Sequence, residues 1–436
     1  MQRGVRGAAL VAAGVLLFVG TIGVSAVTAP DVTVESDGDG LNETLVGSQG
    51  GGPGLHEDGS VYLVRGTNRS WRLFNGTVGS DSYFDVTRLD NGTVLAGFID
   101  GGYEECGEYS VPCKRTGFRI LSPPPDPEIR YEYSYPVREI GNRETHDVEV
   151  LDSGEFLLTD MDRERLVAVE DGEVTWQWNA SSRYDSPLRP TRTDWLHIND
   201  VDVIDEGRYL LSVRNANQLL VIERGEGVVE VINRDDGGSD ETCRSGDQLK
   251  DYDNDGDVLC GDPGVLNHQH NPQSLGDGHV LVADSENNRV VELARTADGD
   301  WEPAWTLESA GSVPFDWPRD ADRLPNGNTL ITDTMNQRIV EVNETGVVVW
   351  SVETPLVPYE ADRLPEGEVV GAPAYAVNES ATTAASGRSL LGLPVCYLHF
   401  VLPWLPLWFT ELQFFLSLFS VVLVVSGVYD ALRAWL

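Results

Sequence analysis

"HDVEVLDSGEFLLTD" (146–160) decides the fold. It reads as a short strand, a tight turn closed by Gly154, and a second strand. The same pattern returns as "FDVTRLDNGTVLAGF" (84–98), "NDVDVIDEGRYLLSV" (199–213), "HNPQSLGDGHVLVAD" (270–284), "RDADRLPNGNTLITD" (319–333) and "YEADRLPEGEVVGAP" (359–373). Several copies are followed by a third strand, such as "RLVAVE" (165–170) or "QLLVIE" (218–223). A fourth often carries tryptophan: "VTWQW" (174–178), "EPAWTL" (302–307), "VVVWSV" (347–352). Four short strands per unit, repeated six times at a period near 40–50 residues, predict an all-β fold, a six-bladed β-propeller. The longer gap between the copies at 199 and 270 predicts an insertion over 235–266.

In a propeller the first strand of each blade lines the central channel. Aligning the copies on their turn glycines gives a column at the start of that strand: Phe84, His146, Asn199, His270, Arg319 and Tyr359. These side chains are expected to converge at one channel mouth. His197 and His268 lie two residues earlier and should share the same strand face by alternation. The mouth then gathers four of the seven histidines with Arg319, and Arg214 of "LLSVRN" (210–215) joins them. Guanidinium forks suit an anionic substrate, and a neutral imidazole can attack an electrophilic centre while a second handles a proton. No serine elbow, phosphate loop or HExxH motif is present, so no cofactor is expected in catalysis.

Wider composition fits a secreted face. The chain has 436 residues and a formal net charge of −39, with lysine only at Lys114 and Lys250. Such acidity excludes nucleic acid as a partner and fits a halophilic surface in concentrated salt. Residues 1–30 carry Arg3 and Arg6 before a long apolar run, a signal anchor or signal peptide with its start inside. Residues 389–436 form a C-terminal membrane region, with a span from Phe414 to Tyr429 and a proline- and tryptophan-rich stretch before it. Between them lie a Gly/Asp-rich linker (31–50), the propeller (51–378) and a second linker (379–388). The expected location is the cell membrane, with the propeller on the extracellular face. Cys106 with Cys113 and Cys243 with Cys260 suit two local disulfides there.

"DYDNDGDVLCGD" (251–262) has the spacing of a twelve-residue calcium loop, with Asp251, Asp253, Asp255, Asp257 and Asp262 as candidate ligands and no flanking helices. A Ca²⁺ there would be structural.

"DWLHIND" (194–200) followed by "LLSVRN", together with "HDVEVLDSGEFLL" and "NHQHNPQSLGDGHVLVAD" (267–284), resembles the arylsulfate sulfotransferase family over roughly residues 140–350. The resemblance implies transfer of a sulfuryl group from an aryl sulfate to a phenolic or glycan hydroxyl, without a nucleotide donor. Carried over, His270 would become sulfated, His197 and Arg214 would hold the sulfuryl oxygens, and His146 would orient the substrate or protonate the leaving phenolate. Asn199, Arg319, His268 and Tyr359 would contact substrate, and His268 is an alternative nucleophile. Arg319 has no counterpart in the family pattern. "DSENNR" (284–289) and "DTMNQR" (333–338) look more like NHL-type repeats. The alternative reading is therefore a non-catalytic NHL-like cell-surface propeller that binds a protein or glycan. A metal enzyme with His146, His197 and His270 as ligands is a further rival.

Overall fold

The computed structural model describes residues 2–28, 43–50, 59–73, 82–122, 127–139, 141–235, 237–238, 240–246, 249–354, 357–375, 398, 405–406 and 409–435. Residues 32–387 form one compact unit, and residues 1–31 with 388–436 form another.

The larger unit is a propeller of six four-stranded antiparallel sheets. Its second blade runs Ser82–Arg88, Val94–Tyr103, Cys113–Leu121, Ile129–Val137. The third runs Val148–Val150, Phe156–Asp160, Arg165–Glu170, Glu173–Asn179, and the fourth Ile198–Asp205, Arg208–Val213, Gln218–Glu223, Gly227–Ile232. The fifth runs His270–Gly276, His279–Asp284, Arg289–Arg295, Trp301–Leu307, and the sixth Asp320–Arg323, Thr329–Asp333, Arg338–Val342, Val348–Glu353.

The first blade is assembled from both ends of the domain. Its innermost strand, Val357–Leu364, pairs with Glu43–Gly50, which continues to Ser60–Arg65 and Asn68–Leu73. Two expectations are corrected here. Residues 43–50, assigned to a linker, are a strand. The sixth sequence copy gives only one strand; after a cis Leu364–Pro365 bond its remainder crosses to the fifth blade, where Gly371 N–H donates to Ser274 O (2.9 Å).

The core lies between the blades. Leu210 packs toward Val280 and Val282 of the fifth blade, while its neighbour Leu211 packs toward Leu157 and Leu166 of the third. Alternate residues of one strand thus bury against opposite neighbours, so the strands read as continuous apolar runs. A repeated ion pair closes three of the turns between second and third strands: Asp160–Arg165 (2.7 Å), Asp284–Arg289 (2.6 Å) and Asp333–Arg338 (2.7 Å). The fourth blade has Val213 and Gln218 paired at that register, and Arg214 follows immediately.

The insertion between the fourth and fifth blades holds a short helix, α2 (Asp240–Gly246), and a disulfide from Cys243 to Cys260 (Cα–Cα 6.7 Å). Leu249 and Val258 tie it into the third–fourth blade core. Cys106 and Cys113 also pair (Cα–Cα 5.5 Å).

The smaller unit contains two apolar helices, α1 (Gln2–Thr28) and α3 (Glu411–Trp435), each long and apolar enough to cross a membrane. They pack antiparallel: Arg6 pairs with Asp430 (3.3 Å), and Gln413 donates to Ser25 (2.8 Å). Glycines let them touch. A Cβ on Gly7 would lie 2.7 Å from the Gly427 carbonyl oxygen. The proline- and tryptophan-rich stretch with Pro394, Pro403, Trp404 and Trp408, and the linker 379–388, lie outside the described residues.

Candidate functional site

Five of the six column residues meet in one group of rings and one guanidinium. His146 lies 4.7 Å from Phe84, 5.5 Å from His197 and 5.0 Å from Tyr359, centroid to centroid. Tyr359 also meets Phe84 at 5.2 Å and His270 at 6.0 Å. The Arg319 guanidinium sits 5.1 Å above the Tyr359 ring and 4.5 Å above Trp317. All are buried, Tyr359 to 1% exposure. The sixth, Asn199, is fully buried; its amide donates to Gln269 O (2.9 Å) and its Oδ1 has no partner.

The expected alternation fails at the blade entrances. His197, His268 and Trp317 occupy equivalent positions, and all three are left-handed, with φ of 55°, 48° and 54°. Each N–H is caught by the preceding blade: His197 by Glu164 Oε1 (2.8 Å), His268 by Asn217 Oδ1 (3.0 Å) and Trp317 by Asn288 Oδ1 (2.9 Å). The capturing residues are themselves left-handed, each in the turn between second and third strands. This kink, not period two, brings His197 to the mouth.

Glu164 does more than its asparagine counterparts. Its carboxylate also accepts Leu196 N–H (3.1 Å) and Ile198 N–H (3.0 Å), so it fixes the whole "DWLHIND" entry. Burial, and the nearby Asp194, push its pKa up to about 8 even though the backbone donors pull it down. Asp194 contacts His197 Nδ1 through both oxygens (2.9 and 3.0 Å). A carboxylate on Nδ1 fixes the orientation of the ring. Sequence reasoning missed both acids; Asp194 was visible as the first letter of its own motif.

His270 is held from behind. Its Nδ1 lies 3.1 Å from His268 O and 2.8 Å from Ser285 Oγ, which itself donates to Pro318 O (2.6 Å). A carbonyl can only accept, so Nδ1 carries the proton and the lone pair is on Nε2. Burial, then the Arg319 and Arg214 charges, hold the His270 pKa well below the usual histidine value. The ring is neutral at neutral pH. His268 is half-buried and contributes the carbonyl that sets this tautomer.

Arg319 donates to Gln49 through Nη1, and its buried Nε has no partner. Burial lowers its pKa to about 10, with Tyr359 opposing and Arg214 adding to the fall. The Tyr359 hydroxyl is buried without a hydrogen-bond partner among the described residues, and burial raises its pKa well above the usual value. Arg214 is half-buried, with Nη1 on Asn215 Oδ1 (2.7 Å). The mouth therefore offers one neutral imidazole among two guanidiniums, two further imidazoles and an unused phenol.

The acidic loop is built differently from expectation. Asp253 and Asp255 place carboxylate oxygens within 4.8 Å of Asp185, from the connection before the fourth blade, not of Asp257 or Asp262. Asp251 instead accepts Asp255 N–H and Gly256 N–H (both 3.1 Å), and Asp262 accepts Gly264 N–H (2.7 Å). The helix α2 lies just before the loop. Among the described residues no other three His, Cys, Asp or Glu side chains converge this closely, and the ligand nitrogens of His146, His197 and His270 are not gathered within that distance.

Residues 175–354 match the arylsulfotransferase (ASST) family model. No curated protein matches the chain. Among solved structures, a protein of unknown function from Bacteroides caccae is 13% identical with a TM-score of 0.48, covering 75% of this chain and all of that one. A virginiamycin B lyase from Staphylococcus aureus is 14% identical with a TM-score of 0.30, over 48% of this chain and 55% of the lyase. Neither likeness bears on function. The family match contains His197, Arg214, His268, His270 and Arg319, and stops short of Phe84, His146 and Tyr359. From the last strand of the third blade to the end of the sixth, the chain is similar to the arylsulfotransferase family.

Proposed function

We propose that the protein moves a sulfuryl group from an aryl sulfate to a phenolic or other hydroxyl acceptor through His270. The observation that carries this reading is the neutral, Nδ1-protonated His270 beside Arg214 and Arg319. Its Nε2 lone pair attacks sulfur, and the S–O bond to the aryl group breaks. The phenolate leaves and takes a proton from His146. The sulfuryl group rests on Nε2 until an acceptor hydroxyl attacks sulfur, breaks the S–N bond and returns its proton to His146. Arg214, Arg319, the Tyr359 hydroxyl and the Asp194-held His197 offer donors to the three sulfuryl oxygens, where charge must be stabilised. His268 acts through its carbonyl and not as nucleophile.

The paired terminal helices would anchor the chain in a membrane, with the propeller on the outer face, and the acidic surface suits concentrated salt. The loop around Asp253, Asp255 and Asp185 is a candidate structural Ca²⁺ site.

The test uses the full chain in detergent and high salt, with 4-nitrophenyl sulfate as donor and phenol as acceptor. Nitrophenolate release, and a gain of one sulfuryl group in intact mass after donor alone, are expected; both vanish in His270→Ala. A folded protein that releases nothing from several aryl sulfates and gains no mass would favour the binding propeller.

A further inference from the structure

One residue beyond the histidine column the channel changes sign. The residues following the column are Asp85, Asp147, Asp200, Asn271, Asp320 and Glu360. Two positions further come Thr87, Glu149, Asp202, Gln273, Asp322 and Asp362. Strand irregularities at Tyr83/Val86, Ile198/Asp200 and His270/Pro272 explain how consecutive residues both reach the axis. A bulge re-aims a side chain that alternation would send into the core.

Much of this tier has a structural task. Each blade accepts one backbone N–H from the next: Glu360 from Val86 (3.3 Å), Asp85 from Val148 (3.3 Å) and Asp147 from Val201. The circle continues with Asp202 from Ser274 (2.8 Å), Gln273 from Arg323 (2.7 Å) and Asp320 from Ala361 (2.9 Å). Gln273 performs the task without a charge, so stapling blades does not require carboxylates.

Four further acids of the tier, Glu149, Asp200, Asp322 and Asp362, accept none of these inter-blade hydrogen bonds. Asp200 and Asp322 are 7% and 5% exposed, and among the described residues neither side chain has a hydrogen-bond or ion-pair partner. Asp200 faces a cavity of about 80 Å³ that Asp85, Asp147, Glu149, Glu360 and Asp362 also line. The one cationic side chain on that wall among the described residues, Arg88, is exposed. Buried, unpaired carboxylates are costly unless a proton or a cation joins them. No three of these oxygens lie close enough together to grip a bare ion. That spacing suits a small divalent cation that keeps most of its water and meets carboxylates through it.

We propose that this axial cavity binds one hydrated divalent cation of the Mg²⁺ type, with Asp200 and its neighbours as outer ligands. The site is separate from the acidic surface loop and from the proposed sulfuryl transfer. It neutralises the channel just beyond the anion-binding mouth.

The experiment uses the full chain in detergent carrying Asp253→Asn and Asp255→Asn, which silences the surface loop. Metal is stripped, and thermal unfolding is followed against MgCl₂ at constant ionic strength. A saturable rise in Tm of ~3–6 °C is expected, with one Mg²⁺ retained per chain by elemental analysis. Adding Asp200→Asn and Asp322→Asn leaves every inter-blade hydrogen bond in place. That variant should unfold a few degrees higher without metal, because repulsion is relieved, and lose the Mg²⁺ response. Equal Mg²⁺ responses in both proteins, or none in the first, would overturn the proposal. The second outcome would mean that protons alone neutralise the channel.

Discussion

The two tiers of the channel sit on the same six strands, one residue apart, and differ in almost everything. The upper tier is varied: Phe84, His146, Asn199, His270, Arg319, Tyr359. The lower tier repeats an acceptor in every blade, and in five of six that acceptor position or its neighbour is acidic. The lower tier closes the ring with one inter-blade hydrogen bond per blade, four from the residue after the column and two from two positions further on. The upper tier makes no such ring. In a repeat protein, a position that recurs carries the fold, and a position that breaks the repeat is available for chemistry. Arg214 obeys the same rule, since it follows the one second-to-third turn among blades three to six in which Val213 and Gln218 replace the Asp–Arg pair.

Substitutions separate the tiers most sharply. His270→Ala should cut turnover of 4-nitrophenyl sulfate by about 10³-fold or more, since no other group takes over the covalent step. Asp200→Asn, whose chain neighbour is Asn199 of the upper tier, should leave it within about threefold. A large loss in Asp200→Asn would make the lower tier part of the machinery. Next in size is Arg214→Ala, expected to lower kcat by about 10²-fold through loss of a donor to the sulfuryl oxygens. Asp194→Asn should follow, with a loss of about 10-fold in kcat, because the amide holds the His197 ring less firmly than two carboxylate oxygens do.

The sequence made some of this legible. Five copies fold as the hairpins their Gly-closed turns predict, because a hairpin is a local event. Ring closure was hidden. Glu43–Gly50 has no turn signal linking it to Val357–Leu364, and its partner lies at the other end of the domain. The column correctly brought His146, His270, Arg319 and Tyr359 together, since equivalent positions on a symmetric scaffold point at one axis. His197 reached the mouth by another route, because left-handed entries cannot be read from alternation. Glu164 was missed since its neighbours in sequence are unrelated to the strand it holds. The lower tier was invisible for a plainer reason: an aspartate after four of the six column residues, and a glutamate after a fifth, look like more surface acid in a chain of charge −39, and the bulges that turn them inward leave no mark in the sequence.

The smallest expected effect tests the lower tier without mutation. Burial raises the pKa values of Asp85, Asp202 and Asp320 to about 7, from an ordinary 3.8. Asp147, Asp200 and Asp322 shift the same way, with burial the largest cause and neighbouring carboxylates adding to it. Glu149, Glu360, Asp362 and Glu368, which face them across the axis, shift upward too, while exposed Arg88 lies at the wall. A group whose folded pKa exceeds its unfolded value lends stability that is complete below the unfolded pKa and is lost as pH rises through the folded one. Metal-free protein should therefore lose stability between about pH 4 and pH 7, the reverse of an ordinary carboxylate. Glu155, drawn down to about 2 by its hydrogen bonds from Arg224 and Thr175, opposes this only below about pH 4.5. Unfolding in concentrated salt at pH 5 and pH 7.5 should show Tm lower at pH 7.5 by ~2–4 °C. Saturating Mg²⁺ should shrink that gap, because a bound cation replaces the protons. If Tm instead rises from pH 5 to pH 7.5 without metal, the lower tier is already ionised and solvated, and the contrast between the tiers becomes one of shape instead of charge.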